Sequence, residues 1–355
     1  MQPFVYNSLP GKVVFGRGTL AQVGEEVRAL GCSRALVLTT PRQEGVGQAL
    51  AAQLGDLAAG IFSGAAMHTP VEVTERAMAA VSETGADCVV AIGGGSTTGL
   101  GKAIALRTDL PQVVIPTTYA GSEATPILGQ TENGVKTTQR GAKILPEVIL
   151  YDVDLTLTLP PALTVTSALN AIAHSVEGLY SPDANPLISL LAEDGIRALV
   201  SALPRIVAQP SNVEARSDAL YGAWACGVTL GVVGMALHHK ICHTLGGTFD
   251  LPHAETHSVI LPHAMAYNAR AAADAMAKVA RAIGKDDAPR GMWDLSKQLG
   301  APMTLAELGM PRDGIARAVE LALANPYWNP EPLEAGRLTT LLEGAWEGRP
   351  PREME

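Results

Sequence analysis

Short apolar runs alternate with amphipathic stretches through the first 150 residues. Ala35-Leu36-Val37-Leu38-Thr39-Thr40 reads as a strand, Cys88-Val89-Val90-Ala91-Ile92 as a second, buried strand, and Val113-Val114-Ile115-Pro116 as a third. Between them, 71–84 has helical spacing, with Val73, Ala77 and Val81 on one side and Glu72, Glu75 and Glu83 on another. Strands alternating with helices predict a parallel α/β sheet covered by helices on both faces.

The pattern changes near residue 155. Leu159-Pro160-Pro161 places proline at a helix entry. Beyond it the spacing predicts helices over 162–180, 187–207, 213–237, 264–283 and 313–324, with proline-containing breaks at Pro182, Pro186, Pro210, Pro252 and Pro262. The chain therefore reads as an α/β domain with a Rossmann-like parallel sheet over 1–157, followed by an all-α domain over 158–355. Its longest apolar stretch, Trp224 to Leu237, is shorter than the ~20 residues that span a bilayer, and reads as a buried helix. The first ten residues lack a charged segment followed by an apolar run, so no leader is expected, and the tail over 347–355 reads as frayed.

Composition narrows the function classes. A net charge of -9 without long basic runs argues against nucleic acid as a partner, and 17% charged residues beside 47% hydrophobic ones argue against disorder. The cysteines, Cys32, Cys88, Cys226 and Cys242, form no C-x-x-C pair, which points to reduced thiols in a cytoplasmic protein without a membrane span.

Two loops carry candidate binding chemistry. Gly93-Gly94-Gly95-Ser96 follows a buried strand and precedes a helix starting near Thr97. Glycines there allow close approach of a phosphate, and a helix start offers unpaired N–H groups with a positive dipole end. The G-x-G-x-x-G pattern fails at Thr98, and the G-x-x-x-x-G-K-[ST] pattern fails at Ser96 and Ala103. A second polar loop, Pro116-Thr117-Thr118-Tyr119-Ala120-Gly121-Ser122-Glu123, also follows a strand. It belongs at the same edge of an open sheet.

Seven of the eight histidines lie between 174 and 263. Asn170 and His174 are four apart on a predicted helix, as are His239 and His243. His253 follows Leu245-Gly246-Gly247, read as a turn that folds it back toward them. Histidines so spaced predict a shared polar site that binds a metal, binds carboxylates or moves protons.

These motifs together resemble the iron-containing alcohol dehydrogenase family. The resemblance rests on Gly93–Ser96 with Lys102 on the next helix, on Pro116–Thr118 with Gly121–Glu123, on Asn170 and His174, on His239 and His243 in an H-x-x-x-H stretch, and on Leu251-Pro252-His253. It implies an NAD(P)H-dependent oxidoreductase and a homodimer. The cofactor would lie on Gly93, Gly94, Gly95, Ser96, Thr97, Lys102, Thr117, Thr118, Ser122 and Thr39. The family's metal ligands correspond to Asn170, His174, His239 and His253, but the first is ordinarily aspartate, and Gly99 also stands where aspartate is usual. Thr117–Glu123 and His238–His257 look like the branch of the family that reduces the C=C bond of maleylacetate, a dicarboxylate.

Losing the aspartate leaves three neutral imidazoles, which hold hard Fe(II) poorly, so no metal is expected. If one were bound, His174, His239 and His253 would hold it. For that reduction, catalytic roles are expected of His243, His239, His174, His253 and Lys240, with Tyr119 as an extra donor and His243 favoured as proton donor or enolate stabiliser. Leu38-Thr39-Thr40-Pro41-Arg42 carries no acidic residue before Glu44, so use of both NADH and NADPH is expected.

Overall fold

The structure, a computed structural model, describes residues 4, 6, 9, 11–132 and 135–352. The expectations about a leader and about the last three residues of the tail fall largely outside these positions. Two compact units meet in the chain at Leu159/Pro160.

The first unit contains strands β1 (Lys12–Gly16), β2 (Ala35–Leu38), β3 (Ala58–Phe62), β4 (Cys88–Gly93), β5 (Gln112–Pro116), β6 (Ile127–Glu132), β7 (Val135–Arg140) and β8 (Val148–Asp152). Its helices are α1 (Val23–Ala29), α2 (Glu44–Leu54), α3 (Val71–Thr84) and α4 (Gly95–Thr108). Six strands form one sheet in the order β1-β8-β5-β4-β2-β3, and every neighbouring pair is parallel. β6 and β7 pair antiparallel in a separate ribbon.

The side-chain alternation explains why the central strands read as unbroken apolar runs. Val37, Val90, Ile92, Val113 and Ile115 point to one face, where they meet Val23 and Val27 of α1 and Leu50 and Leu54 of α2. Leu36, Leu38, Val89, Ala91 and Val114 point to the other, against Ala77 and Val81 of α3 and Leu100 and Ile104 of α4. A sheet covered on both faces needs apolar residues at every position. The β1, β3, β6, β7 and β8 strands are additions to the sequence reading, and β2 ends at Leu38 rather than Thr40.

The second unit is helical: α5 (Pro161–Tyr180), α6 (Pro186–Ala208), α7 (Val213–Val232), α8 (Leu237–Phe249), α9 (His253–Asn268), α10 (Ala273–Ile283), α11 (Ala288–Gln298), α12 (Gly314–Ala324) and α13 (Ala335–Glu347). Every residue of α5 from Thr164 to Tyr180 is buried, which makes it the axis of the unit. It packs against α6, α7 and α9.

Three expectations change here. The helix expected over 213–237 ends at Val232, and α8 restarts at Leu237 after a bend of 95°. No single described helix is long and apolar enough to cross a membrane. Gly246 and Gly247 lie inside α8, and the turn comes at Asp250, whose φ of 54° is left-handed. Pro262 is not a break: it lies inside α9, a helix that runs to Asn268, while α10 is separate. Residues Thr256–Asn268 are all buried, and that packing outweighs the hydrogen bond that proline removes.

The α6–α7 crossing depends on glycine. A Cβ at Gly222 would lie 2.8 Å from Leu199 Cγ and 3.0 Å from the Gly195 carbonyl oxygen. Gly222→Ala should therefore destabilise the protein by about 1–3 kcal/mol, despite alanine's better helix propensity. A lowered denaturation midpoint checks this, and an unchanged midpoint would mean that the crossing relaxes freely.

Candidate active site

The glycine loop is set by strand register. Gly93 of β4 pairs with Pro116 of β5, and the Thr117 amide donates to the Gly93 carbonyl at 2.9 Å. The two polar loops thus leave the same edge of the sheet side by side. Gly93 has φ 152°, and a Cβ there would meet Thr97 Oγ1 at 2.5 Å and Gln43 Oε1 at 2.9 Å. At Gly94 a Cβ would press on Thr118 at 3.0 Å, whereas at Gly95 it would meet nothing within 4 Å. Gly95 is exposed and opens α4, so the first amides of a 14-residue helix face outward there. Thr97 Oγ1 is buried beside this loop without a hydrogen-bond partner. An open glycine, outward amides and an unpaired hydroxyl fit a bound phosphate or nicotinamide group.

Not every residue expected to touch the cofactor is offered to it. Lys102 is fully buried on α4, and its ammonium donates to the carbonyls of Ser122, Thr125 and Ile127 and to Thr125 Oγ1, at 2.5–2.9 Å. It braces the hydroxyl loop instead of reaching for a phosphate. Burial pushes its pKa down to about 7, and the Glu123 carboxylate works against that shift. Glu123 in turn accepts from the Tyr151 hydroxyl at 2.8 Å. Thr39 is also fully buried and donates to Ser63. Tyr119 is fully buried, while Ser96, Thr117, Thr118 and Ser122 are partly exposed. Gln43, which the sequence reading missed, donates to Thr117 Oγ1 at 3.5 Å. Arg42 is exposed in the turn after β2.

Gly99 has its own counterpart. A Cβ there would lie 2.3 Å from Thr69 Oγ1, so the side chain usual in the family would not fit. Thr69 and His68 both have positive φ, at 48° and 63°, and this costly corner packs into the space that Gly99 leaves.

In the helical unit the imidazoles converge. The expected face of α5, Asn170 and His174, extends one turn further to Glu177, whose side chain is fully buried. Glu177 Oε2 accepts from the Ala236 amide at 2.8 Å and from His239 Nδ1 at 2.6 Å. Its Oε1 accepts from the His238 amide at 2.7 Å. A carboxylate from α5 therefore caps the start of α8, whose own N-cap residue, Ala236, has no side chain for the task. Because a carboxylate only accepts, His239 carries hydrogen on Nδ1. His239 Nε2 lies 2.8 Å from His174 Nδ1, so the three side chains form a hydrogen-bonded chain.

A second pair lies alongside. His238 Nε2 is 2.9 Å from His257 Nδ1, and burial pushes both imidazoles far below their ordinary pKa. His253 opens α9, with its ring centroid 4.4 Å from that of His257. His243 is partly exposed, and its Nδ1 is 3.1 Å from the Tyr327 hydroxyl. The Lys240 ammonium lies 5.7 Å from the centre of the same ring, and burial lowers its pKa. Tyr327 escaped the sequence reading, and so did its support. Asn268 and Asn329 exchange amide hydrogen bonds at 2.7 and 2.9 Å, and Glu331 pairs with Arg270 and Arg337. Together they fix the loop that carries Tyr327.

The family's metal positions fit iron poorly. Asn170 supplies a neutral amide whose Oδ1 is buried without a partner. His174 and His239 face each other through a hydrogen bond. Among the described residues, ligand atoms come together in threes only at His238, Cys242 and His257 and at Cys32, Asp87 and Cys88, and neither set includes His174, His239 or His253. The dication would lack its anionic ligand.

Comparison with known proteins identifies the family of both regions of the chain. Residues 10–153 match the iron-containing alcohol dehydrogenases, and 164–346 match the C-terminal region of the Fe-containing alcohol dehydrogenase family. The chain belongs to the iron-containing alcohol dehydrogenase family. It is 59% identical over 351 residues to the maleylacetate reductase of Rhizobium sp. (strain MTP-10005), covering 99% of this chain and 100% of the relative. It is 56% identical over 348 residues to the maleylacetate reductase of Sphingobium indicum, covering 98% and 99%. The crystal structure of maleylacetate reductase from Agrobacterium tumefaciens superposes with a TM-score of 0.95 at 59% identity, covering 99% of this chain and 100% of that one.

Glu177 both caps α8 and fixes the hydrogen of His239. Glu177→Gln should lower kcat by about 10- to 100-fold, the usual cost of removing the group that orients a functional imidazole. Steady-state kinetics with a check of folding by circular dichroism tests this. An unchanged kcat in a folded variant would remove Glu177 from the site's machinery.

Proposed function

We propose that the protein reduces the C=C bond of 2-maleylacetate to 3-oxoadipate with NADH or NADPH, in the cytoplasmic breakdown of aromatic compounds. The observation that carries this reading is 59% identity, over essentially the whole chain, to an enzyme named for that reaction. The glycine loop, the imidazole cluster and Asn170 in the aspartate's place support it.

Maleylacetate is a dianion whose C=C is conjugated to a ketone. When bound, NAD(P)H supplies hydride to the carbon β to that ketone. Gly93, Gly94, Gly95 and Ser96, with the α4 start, would hold its phosphates, and Thr117, Thr118 and Ser122 would add hydroxyls nearby. Negative charge develops on the ketone oxygen, and a proton must reach the neighbouring carbon. Donors aimed at that oxygen lower the barrier, as does a positioned acid. His243, partly exposed and held by Tyr327, is the proton donor. Lys240 gives the cluster a cation for a substrate carboxylate. His174 and His239, held by Glu177, stabilise the developing enolate by hydrogen bonding, with His253 beside them. On this reading turnover requires no metal, because the donor set at Asn170, His174, His239 and His253 lacks the carboxylate that favours hard Fe(II).

The decisive assay follows NADH absorbance with freshly generated maleylacetate, with and without chelator. Turnover should survive chelation. Activity that vanished on chelation and returned only with Fe(II) or Zn(II) would refute the metal-free reading. Oxidation of simple alcohols in place of maleylacetate reduction would favour a metal-dependent alcohol dehydrogenase instead. In the same assay His243→Ala should lose about 100-fold or more in kcat. Near-normal turnover would move the proton donor elsewhere.

A further inference from the structure

The helical unit contains a second set of ligands, at none of the positions that the family uses for metal. His238 and Cys242 lie four apart on α8, so their side chains share a face. His257, one turn into α9, comes to meet them. Cys242 Sγ and one ring nitrogen from each of His238 and His257 all lie within 4.8 Å of one another, and all three residues are buried. The Cys242 Sγ to His238 Nε2 distance is 3.7 Å, and the His238 Nε2 to His257 Nδ1 distance is 2.9 Å.

From this geometry we infer that His238, Cys242 and His257 form a soft divalent-cation site, of the zinc class, that stabilises the helical unit and takes no part in turnover.

Three arguments support it. First, the donors are a thiol and two imidazoles, the combination that selects zinc over hard cations. Second, bonds of about 2.0–2.1 Å to nitrogen and 2.3 Å to sulfur at a tetrahedral centre separate nitrogens by roughly 3.4 Å and nitrogen from sulfur by roughly 3.6 Å. The edge between Cys242 and His238, at 3.7 Å, already matches. The nitrogen edge must open by about half an ångström, exchanging one hydrogen bond for two metal bonds. Third, the site brings its own anion: a Cys242 thiolate offsets one of the dication's two charges. The Cys242 proton leaves to solvent when the metal binds.

Three protein ligands leave a fourth position, for water.

The test uses the full chain, stripped of metal by chelator and titrated with Co(II) as a spectroscopic stand-in for zinc. One equivalent should bind, with a thiolate-to-cobalt charge-transfer band in the near ultraviolet and the visible bands of a tetrahedral ion. Cys242→Ser should abolish the thiolate band and weaken Co(II) binding by more than about 100-fold, beyond the 10- to 100-fold that losing an outer-shell partner costs. Cys32→Ser should change neither, and that variant matters because Cys32, Asp87 and Cys88 are the other gathered set. Zinc should raise the melting temperature of the wild type and not of folded Cys242→Ser, while kcat stays the same with and without zinc. A thiolate band that survives in Cys242→Ser, or disappears in Cys32→Ser, places the metal elsewhere and overturns the proposal. So does the absence of any Co(II)–thiolate band in the wild type, which would leave a hydrogen-bonded histidine pair only. These readouts do not depend on maleylacetate, so their failure would leave the assignment of the reaction untouched.

Discussion

One buried carboxylate organises the helical unit. Glu177, on the axial helix α5, meets the amides of Ala236 and His238 where α8 begins. A helix start leaves unpaired N–H groups and the positive end of a dipole, and a buried carboxylate needs hydrogen-bond donors and positive potential. Each solves the other's problem. The same oxygen that takes the Ala236 amide takes His239 Nδ1, so one interaction positions the helix and fixes the imidazole hydrogen. The 95° bend between α7 and α8 is the geometry that lets this happen. With the bend in place, His238, His239, Cys242 and His243 are presented from one short helix.

The α/β unit shows the same economy at its glycine loop. The pairing of Gly93 with Pro116 fixes where both polar loops begin. Lys102 then ties the second loop down by donating to oxygens of Ser122, Thr125 and Ile127. A buried ammonium is costly, and this one is tolerated because several acceptors surround it and Glu123 lies close. Its contribution to cofactor binding is therefore indirect: it holds the loop in place.

Much of this was legible in the sequence, and the failures have physical causes. The apolar runs of β2, β4 and β5 and the spacing of α3 announce themselves because burial on two faces or one leaves a periodic trace. The Asn170–His174 face of α5 was equally plain, and three more residues along the same face would have reached Glu177. The bend after Val232 was not readable, since its partner is a carboxylate more than fifty residues away whose role is visible only in three dimensions. Gly246-Gly247 and Pro262 misled for a related reason. Local preference marks them as breaks, but the helices around them are held by tertiary packing, which exceeds the local cost of about 1–3 kcal/mol. Lys102 misled because spacing fixes which residue follows the glycines but not where a long side chain turns. Tyr327 lies 84 residues from His243 on an irregular loop, and no periodicity points to it.

The exchange of aspartate for Asn170 acquires meaning in this setting. Hard Fe(II) at the family's position is favoured by an anionic ligand, and the neighbouring carboxylate, Glu177, is already committed elsewhere. Both of its oxygens are engaged, one with the His238 amide and one with Ala236 and His239. Swinging it toward a metal would uncap α8 and release the hydrogen that orients His239. The fold therefore cannot recover the lost charge from within its own helix. What remains where a metal would sit is a set of hydrogen-bonding imidazoles whose orientation is already fixed. An enone reduced at carbon needs donors at its oxygen and a proton at its neighbour, and under the proposed function these imidazoles are the groups that would supply them.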